Sequence, residues 1–174
     1  ENHINCLREH FLAGERDEVK YVQPQMRNLL TNVAGLLLPS GVEICSKDSD
    51  ASVVQYTTVL AVEGAVKAQV SGETDELLMF HNVPIGNVED KSLDIVVARP
   101  KDLAQSFAET QAFCARYGTI VGQQPEQFWT LLHTGRAWTF LFRIGPNLWR
   151  RYETIVVFDD AGEHIAGAVD NVLI

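Results

Sequence analysis

Apolar residues recur at two different periods along this chain. Met26, Leu29, Leu30, Val33, Leu36 and Leu37 fall three and four apart, the spacing of one helical face. Pro24 suits a first turn, where its missing N–H costs little, and Pro39-Ser40-Gly41 ends the helix. The pattern then turns β-like. Val42–Cys45 predicts a short strand, Lys47–Asp50 a polar turn, and Gln55–Val62 with Ala65–Val70 either a hairpin or one bent strand. Ser71–Glu76 reads as a loop, Leu77–Phe80 as a strand, and Pro84–Lys91, with Gly86 and Asn87, as another loop. Leu93–Ala98 is a branched apolar run broken only by Asp94, fit for a buried central strand. Pro100 stops it, and Asp102 caps a helix reaching about Arg116, with Leu103, Phe107 and Cys114 on its inner side and Tyr117-Gly118 at its end.

The last third is β-rich. Phe128–Leu132 and Ala137–Ile144 flank His133-Thr134-Gly135-Arg136, a hairpin signature. Trp138, Phe140, Phe142 and Ile144 alternate with Thr139, Leu141 and Arg143, so one face is apolar. Tyr152–Phe158 predicts a further strand, and Glu163–Ile174 the start of a helix. Helix, three or so strands, helix, then a strand meander is the order of a mixed α/β sandwich.

Composition narrows the picture. The 174 residues suit one domain, and 46% hydrophobic with 21% charged residues is ordinary for a soluble fold. No stretch nears the ~20 apolar residues of a membrane span. The start has neither a signal-peptide layout nor a Met, so the chain is expected to be a piece of a longer protein. Cys6, Cys45 and Cys114 are odd in number and lack CxxC spacing, which argues against a disulfide framework or zinc and for a reducing compartment. A net charge of −9 disfavours a strong grip on phosphate backbones and suits protein partners.

Three segments carry candidate chemistry: LDIVVARP at 93–100, LAQSFAETQAFCARYG at 103–118 and LLHTGRAWTFLFR at 131–143. Together they resemble the PD-(D/E)xK nuclease-like superfamily over residues 25–158, and within it the domains of Crinkler-type effectors, retrotransposon hot spot proteins and fungal-kinase-associated proteins. The resemblance implies a restriction-endonuclease-like α-β-β-β-α-β core with a C-terminal β-meander, an acid-x-Lys strand, and a helix bearing a Gln. Phosphodiester hydrolysis needs a metal to polarise phosphate and activate water. Hard Mg²⁺ takes carboxylate ligands, and residues two apart on a strand share a face. With Arg99 at the lysine position, Val97 stands at the acid, Gln111 at the helix glutamine and Glu63 nearest the preceding aspartate.

A valine holds no metal, and arginine is too basic to move a proton. So aligned, the chain resembles a pseudonuclease, such as the C-terminal domain of a kinetoplastid kinetochore protein. That likeness implies a nuclear, kinetochore-associated protein-interaction module without enzyme activity, metal or cofactor, with kinetochore proteins as partners, weak or no nucleic-acid binding and no membrane. Each residue also has a plainer reading: Arg99 in a strand-end ion pair, Gln111 as a satisfied buried amide, Val97 as core. Two alternatives stay open. Glu63 and Lys67 could share a strand face, and a divergent metal-dependent nuclease could use Glu63, Asp94 or Glu89.

His3, His10, His81, His133 and His164 are scattered, without paired metal-ligand spacing. Arg136, Arg143, Arg150 and Arg151, interleaved with Trp138 and Trp149, form the basic cluster of the C-terminal third. Such a mix anchors protein partners or stacks single-stranded nucleic acid; the acidic balance favours a protein. Core tryptophans beside a solvated arginine edge explain it equally well.

Overall fold

The computed structural model describes residues 2–37, 40–62, 66–94, 98–145 and 148–165. Helix α1 (Asn2–Leu12) buries Ile4, Leu7 and Phe11, spaced three and four apart. A π-helical turn at Glu18–Val22, capped by the Asp17 carboxylate, leads into α2 (Gln23–Leu37). Met26 and Leu29 of the expected stripe are buried there, and Leu30 and Val33 pack against the same core.

β1 (Val42–Ser46) follows, and then α3 (Lys47–Val54) stands where a polar turn was expected. The Ser46 N–H donates to Ser49 Oγ at 2.7 Å across its first turn, a local cap that lets so polar a segment enter a helix. β2 (Gln55–Val62) and β3 (Val66–Glu73) pair antiparallel as a two-stranded sheet of their own, the first of the two alternatives left open.

β4 (Glu76–Phe80), β5 (Val83–Asp90), β6 (Phe128–His133), β7 (Ala137–Gly145), β8 (Leu148–Arg151) and β9 (Ile155–Val156) join β1 in a seven-stranded sheet. Its order is β1-β4-β5-β6-β7-β8, with β9 on β7. Each pairing is antiparallel except β5 with β6, which is parallel. Parallel neighbours need a crossover, and α4 (Pro100–Val121) supplies it.

Period-two alternation sets the layers. Leu78 of β4, Val88 of β5 and Leu131 of β6 join Leu7, Met26 and Phe11 on one side. Leu77 and Met79 face the other way, onto Ala108, Ala112, Phe113 and Cys114 of α4 and Tyr56 of the hairpin. The result is a mixed α/β protein with a helical layer on each face of a mixed sheet. No helix among the described residues is long and apolar enough to cross a membrane.

Three expectations need correction. Residues 83–90 form a strand rather than a loop. Pro84 sits near the strand start, and Gly86 lets the Trp129 indole lie against the backbone: a Cβ there would come within 2.4 Å of the ring. Loop-like composition here reflects close packing. Conversely, Leu93 and Asp94 lie in a turn, Ala98 and Arg99 are irregular, and residues 95–97 fall outside the described residues. Lastly, β7 is covered on both sides, with Thr139, Leu141 and Arg143 buried as well as Trp138; of the expected strand Tyr152–Phe158, only Ile155–Val156 is strand. The expected C-terminal helix falls largely outside the described residues, of which residues 163–165 are non-helical.

Candidate active site

The strand that delivers a carboxylate and a lysine toward the N-terminal half of α4 is β5. Glu89 and Lys91, two apart, project to one side, and the ladder continues one residue past the strand because Lys91 N–H donates to the His133 carbonyl at 2.8 Å. Both side chains are buried, Glu89 at 2% and Lys91 at 8% exposure, and Lys91 Nζ is hydrogen-bonded to Glu89 Oε1. Asp75, just before β4, is held at both oxygens. Its Oδ1 accepts from Gln23 Nε2 at 2.7 Å and its Oδ2 from the Asp90 N–H at 2.8 Å. From α4, Gln105 Nε2 donates to Glu89 Oε1 and to Glu109 Oε1.

The electrostatics of this group are strained. Burial, reinforced by the charges of Glu109 and Asp75, pushes the Glu89 carboxyl well above the ordinary range, against the pull of Lys91. Burial, then the Asp90 charge, raises Asp75 to about 7. Burial raises Glu109 to about 7 despite its hydrogen bonds. Glu18, in the π-helical turn, is raised by burial and lowered in part by Lys91. Burial alone would weaken the Lys91 ammonium, but the charge and hydrogen bond of Glu89 outweigh it, so Lys91 stays above its ordinary value and is a fixed cation. Glu89 Oε2 is buried with no hydrogen-bond partner.

That orphaned oxygen bears on whether a metal fits. Mg²⁺ is held by one or two carboxylates plus waters and substrate oxygens, and Glu89 Oε2 with Asp75 supplies such hard donors. Among the described residues no three His, Cys, Asp or Glu side chains converge to cage an ion; a metal held by Glu89 and Asp75 would need water and substrate oxygens as its other ligands. A cavity of about 510 Å³ opens beside Asp75, lined by Glu18, Gln23, Arg27, Lys47 and Glu73 among others.

Two further buried acids adjoin the group. Glu76, on the α2 side of β4, has both oxygens unpartnered, with Arg27 Nε 3.7 Å away; burial, then Asp90 and Asp75, drives its carboxyl well above the ordinary range. Asp90 faces His133, its register partner on β6. Asp90 Oδ1 and His133 Nε2 are 2.5 Å apart but lack hydrogen-bond alignment, and the imidazole stacks on Trp138.

The positions singled out from sequence are scattered. Val97 and Glu63 lie outside the described residues, and Lys67 is exposed. Arg99 is the N-cap of α4, bidentate on Asp102 at 2.7 and 3.1 Å, which is its plainer reading. Gln111 is half-buried, and Gln105 is the glutamine that meets the site. The inward residues of α4 include Ser106, Glu109, Thr110, Phe113 and, as expected, Cys114, while Phe107 is exposed against Trp149. Asp94 is exposed and bonded to Ser92. Of the open alternatives among the described residues, only Glu89 is in the site.

The arginine cluster also divides. Arg136 is buried and tied to the Phe158 carbonyl and Asp160. Trp138 and Arg143 are buried as well, at 3% each. That leaves Arg150 and Arg151 exposed beside the half-buried Trp149, so the six residues do not form one surface patch. All three cysteines are free.

Sequence reasoning missed Asp75, Lys91, Gln105 and Glu109. The available signal was Glu89-Asp90-Lys91, an acid-x-Lys triplet ending a Val-containing segment and followed by a helix with a glutamine. In comparisons with known proteins, the chain matches no family model, no curated protein and no solved structure.

Proposed function

We propose that the chain is a divergent metal-dependent phosphodiesterase of the PD-(D/E)xK type, acting on nucleic acid, with Asp75, Glu89, Lys91 and Gln105 as its centre. The single observation that carries this reading is the buried Glu89–Lys91 pair, two apart at the end of a strand, with one carboxylate oxygen unpartnered. The element order α2-β1-β4-β5-α4-β6 agrees with a restriction-endonuclease-like core, with α3 and the β2–β3 hairpin inserted after β1. The pseudonuclease alignment rested on Val97 and Arg99, and it loses that support when the acid and lysine stand at 89 and 91.

Asp75 and Glu89 would hold Mg²⁺ or Mn²⁺, which supplies phosphate polarisation and an activated water. Lys91, a permanent cation in a poorly solvated site, stabilises negative charge developing on the phosphoryl oxygens. It is too firmly protonated to be the base. Gln105 fixes the rotamer of Glu89 by donating to Oε1, which leaves Oε2 as the free donor. The buried lining of β5 and α4 limits bulk water, so each of these charges acts at reduced screening.

The test is cleavage of labelled single- and double-stranded DNA and RNA with Mg²⁺ or Mn²⁺, comparing the full chain with E89Q. Metal-dependent cleavage lost in E89Q is the expected result. Absence of cleavage on every substrate with both metals would overturn the reading.

A further inference from the structure

Both protons of the Gln105 side-chain amide go to carboxylates, one to Glu89 and one, at 2.9 Å, to Glu109. With Glu89 and Glu109 ionised, the opposite orientation would set the amide oxygen against two acceptors, so this one is chosen by chemistry. The Gln105 carbonyl oxygen is thereby turned away from both acids. Glu109 is itself fixed. It is fully buried one helical turn beyond Gln105, and its Oε2 accepts from Asn87 Nδ2 at 3.0 Å.

Asn87 is pinned in turn. Its Nδ2 also reaches Thr74 Oγ1 at 3.3 Å, and its Oδ1 accepts from Thr130 Oγ1 at 2.7 Å. Thr130 pairs with Thr110 at 2.6 Å. None of these five residues is more than 1% exposed. The network spans β5, β6, α4 and the turn before β4, and it ends on Gln105. A satisfied buried network of this kind holds one arrangement of its members.

We propose that Glu109 is a positioning residue acting through Gln105. It keeps the amide N–H edge on Glu89 and the carbonyl edge free to accept from a water or hydroxyl in the site. Its consequence for rate rests on the phosphodiesterase reading; its geometry does not. A glutamine at 109 offers donors as well as an acceptor, which removes the bias and lets the Gln105 amide turn over.

Two readouts test this on the full chain. In ¹⁵N NMR, the Gln105 side-chain amide is assigned by its loss in Q105A. E109Q is expected to shift that signal and speed its solvent exchange; a signal unchanged in both respects overturns the proposal, whether or not the chain cleaves anything. E109A, which removes the acceptor without adding a donor, gives the same expectation if E109Q does not fold. In kinetics, E109Q lowers kcat about tenfold with KM for the oligonucleotide unchanged. Added to Q105A, it costs nothing further; an additive loss in the double variant overturns the proposal. A wild-type chain that cleaves nothing defeats the nuclease reading and leaves the amide signal to decide this one.

Discussion

Two carboxylate–cation pairs flank the start of α4, and they are built differently. In the Arg99–Asp102 pair the guanidinium covers both carboxylate oxygens, and Asp102 also accepts the Arg99 backbone N–H. Although burial opposes it, that bonding holds Asp102 below its ordinary pKa. This acid is saturated and serves as a helix cap. In the Glu89–Lys91 pair one oxygen is bonded and the other is buried with no partner, while burial and two neighbouring acids push the carboxyl well up. Unmet bonding capacity in a buried acid destabilises the fold. The comparison separates a structural ion pair from a candidate reactive one more sharply than residue type or spacing does.

The largest effect expected from breaking this contrast is at Glu89. E89Q removes the open carboxylate oxygen and should lower cleavage about a thousandfold, with Mg²⁺ binding by calorimetry lost alongside. At Lys91, K91M should lower kcat about a hundredfold while leaving Mg²⁺ affinity near the wild-type value. Loss of metal binding in K91M would mean that the lysine only supports the fold of the site.

Asp75 gives the pH dependence. Its folded-state pKa, about 7, lies above the ordinary 3.8, so between those values the folded chain holds a proton that the unfolded chain releases. The stabilisation is therefore complete below about pH 4 and lost as pH rises through about 7. The metal-free Tm should fall from about pH 6 to about pH 8, and D75N should make that fall shallower. Mg²⁺ should raise Tm by about 4 °C at the upper pH, and D75N should remove that gain. A metal-free Tm that rises over this interval would contradict the placement of Asp75.

The smallest effect is at the saturated pair. R99A frees an exposed cap and should lower Tm by no more than about 2 °C, with cleavage unchanged. A large loss of cleavage in R99A would return Arg99 to the lysine position of the sequence alignment and undo the contrast.

Much of the fold was legible before the structure. The 3.6-residue period exposed α2, and the β-branched runs exposed β1, β2, β4, β6 and β7. What escaped detection has a physical reason. β5 carries Pro84, Gly86 and Asn87 because it packs against an indole and threads a buried polar network, so it looks like a loop. The apolar run after it has the composition of a buried strand, and this drew the expected acid and lysine to 97 and 99. The first half of the α4 stripe was misread because its inner face there is polar: Gln105 meets Glu89, Glu109 meets Asn87 and Thr110 meets Thr130 across the interface. A hydrophobic period cannot reveal a helix face that is buried on hydrogen bonds. The Arg136–Arg151 cluster was misjudged for the converse reason, since Arg136 and Arg143 are among the buried residues of the sheet.

The account stands or falls on whether Glu89 and Lys91 are a working pair. The most direct test is metal-dependent cleavage of labelled DNA and RNA by the full chain, its E89Q and K91M variants, and R99A as the matched control. The account expects cleavage in wild type and R99A, abolished in E89Q and strongly reduced in K91M. Cleavage that survives E89Q, or no cleavage by any of the four with Mg²⁺ or Mn²⁺, would contradict it.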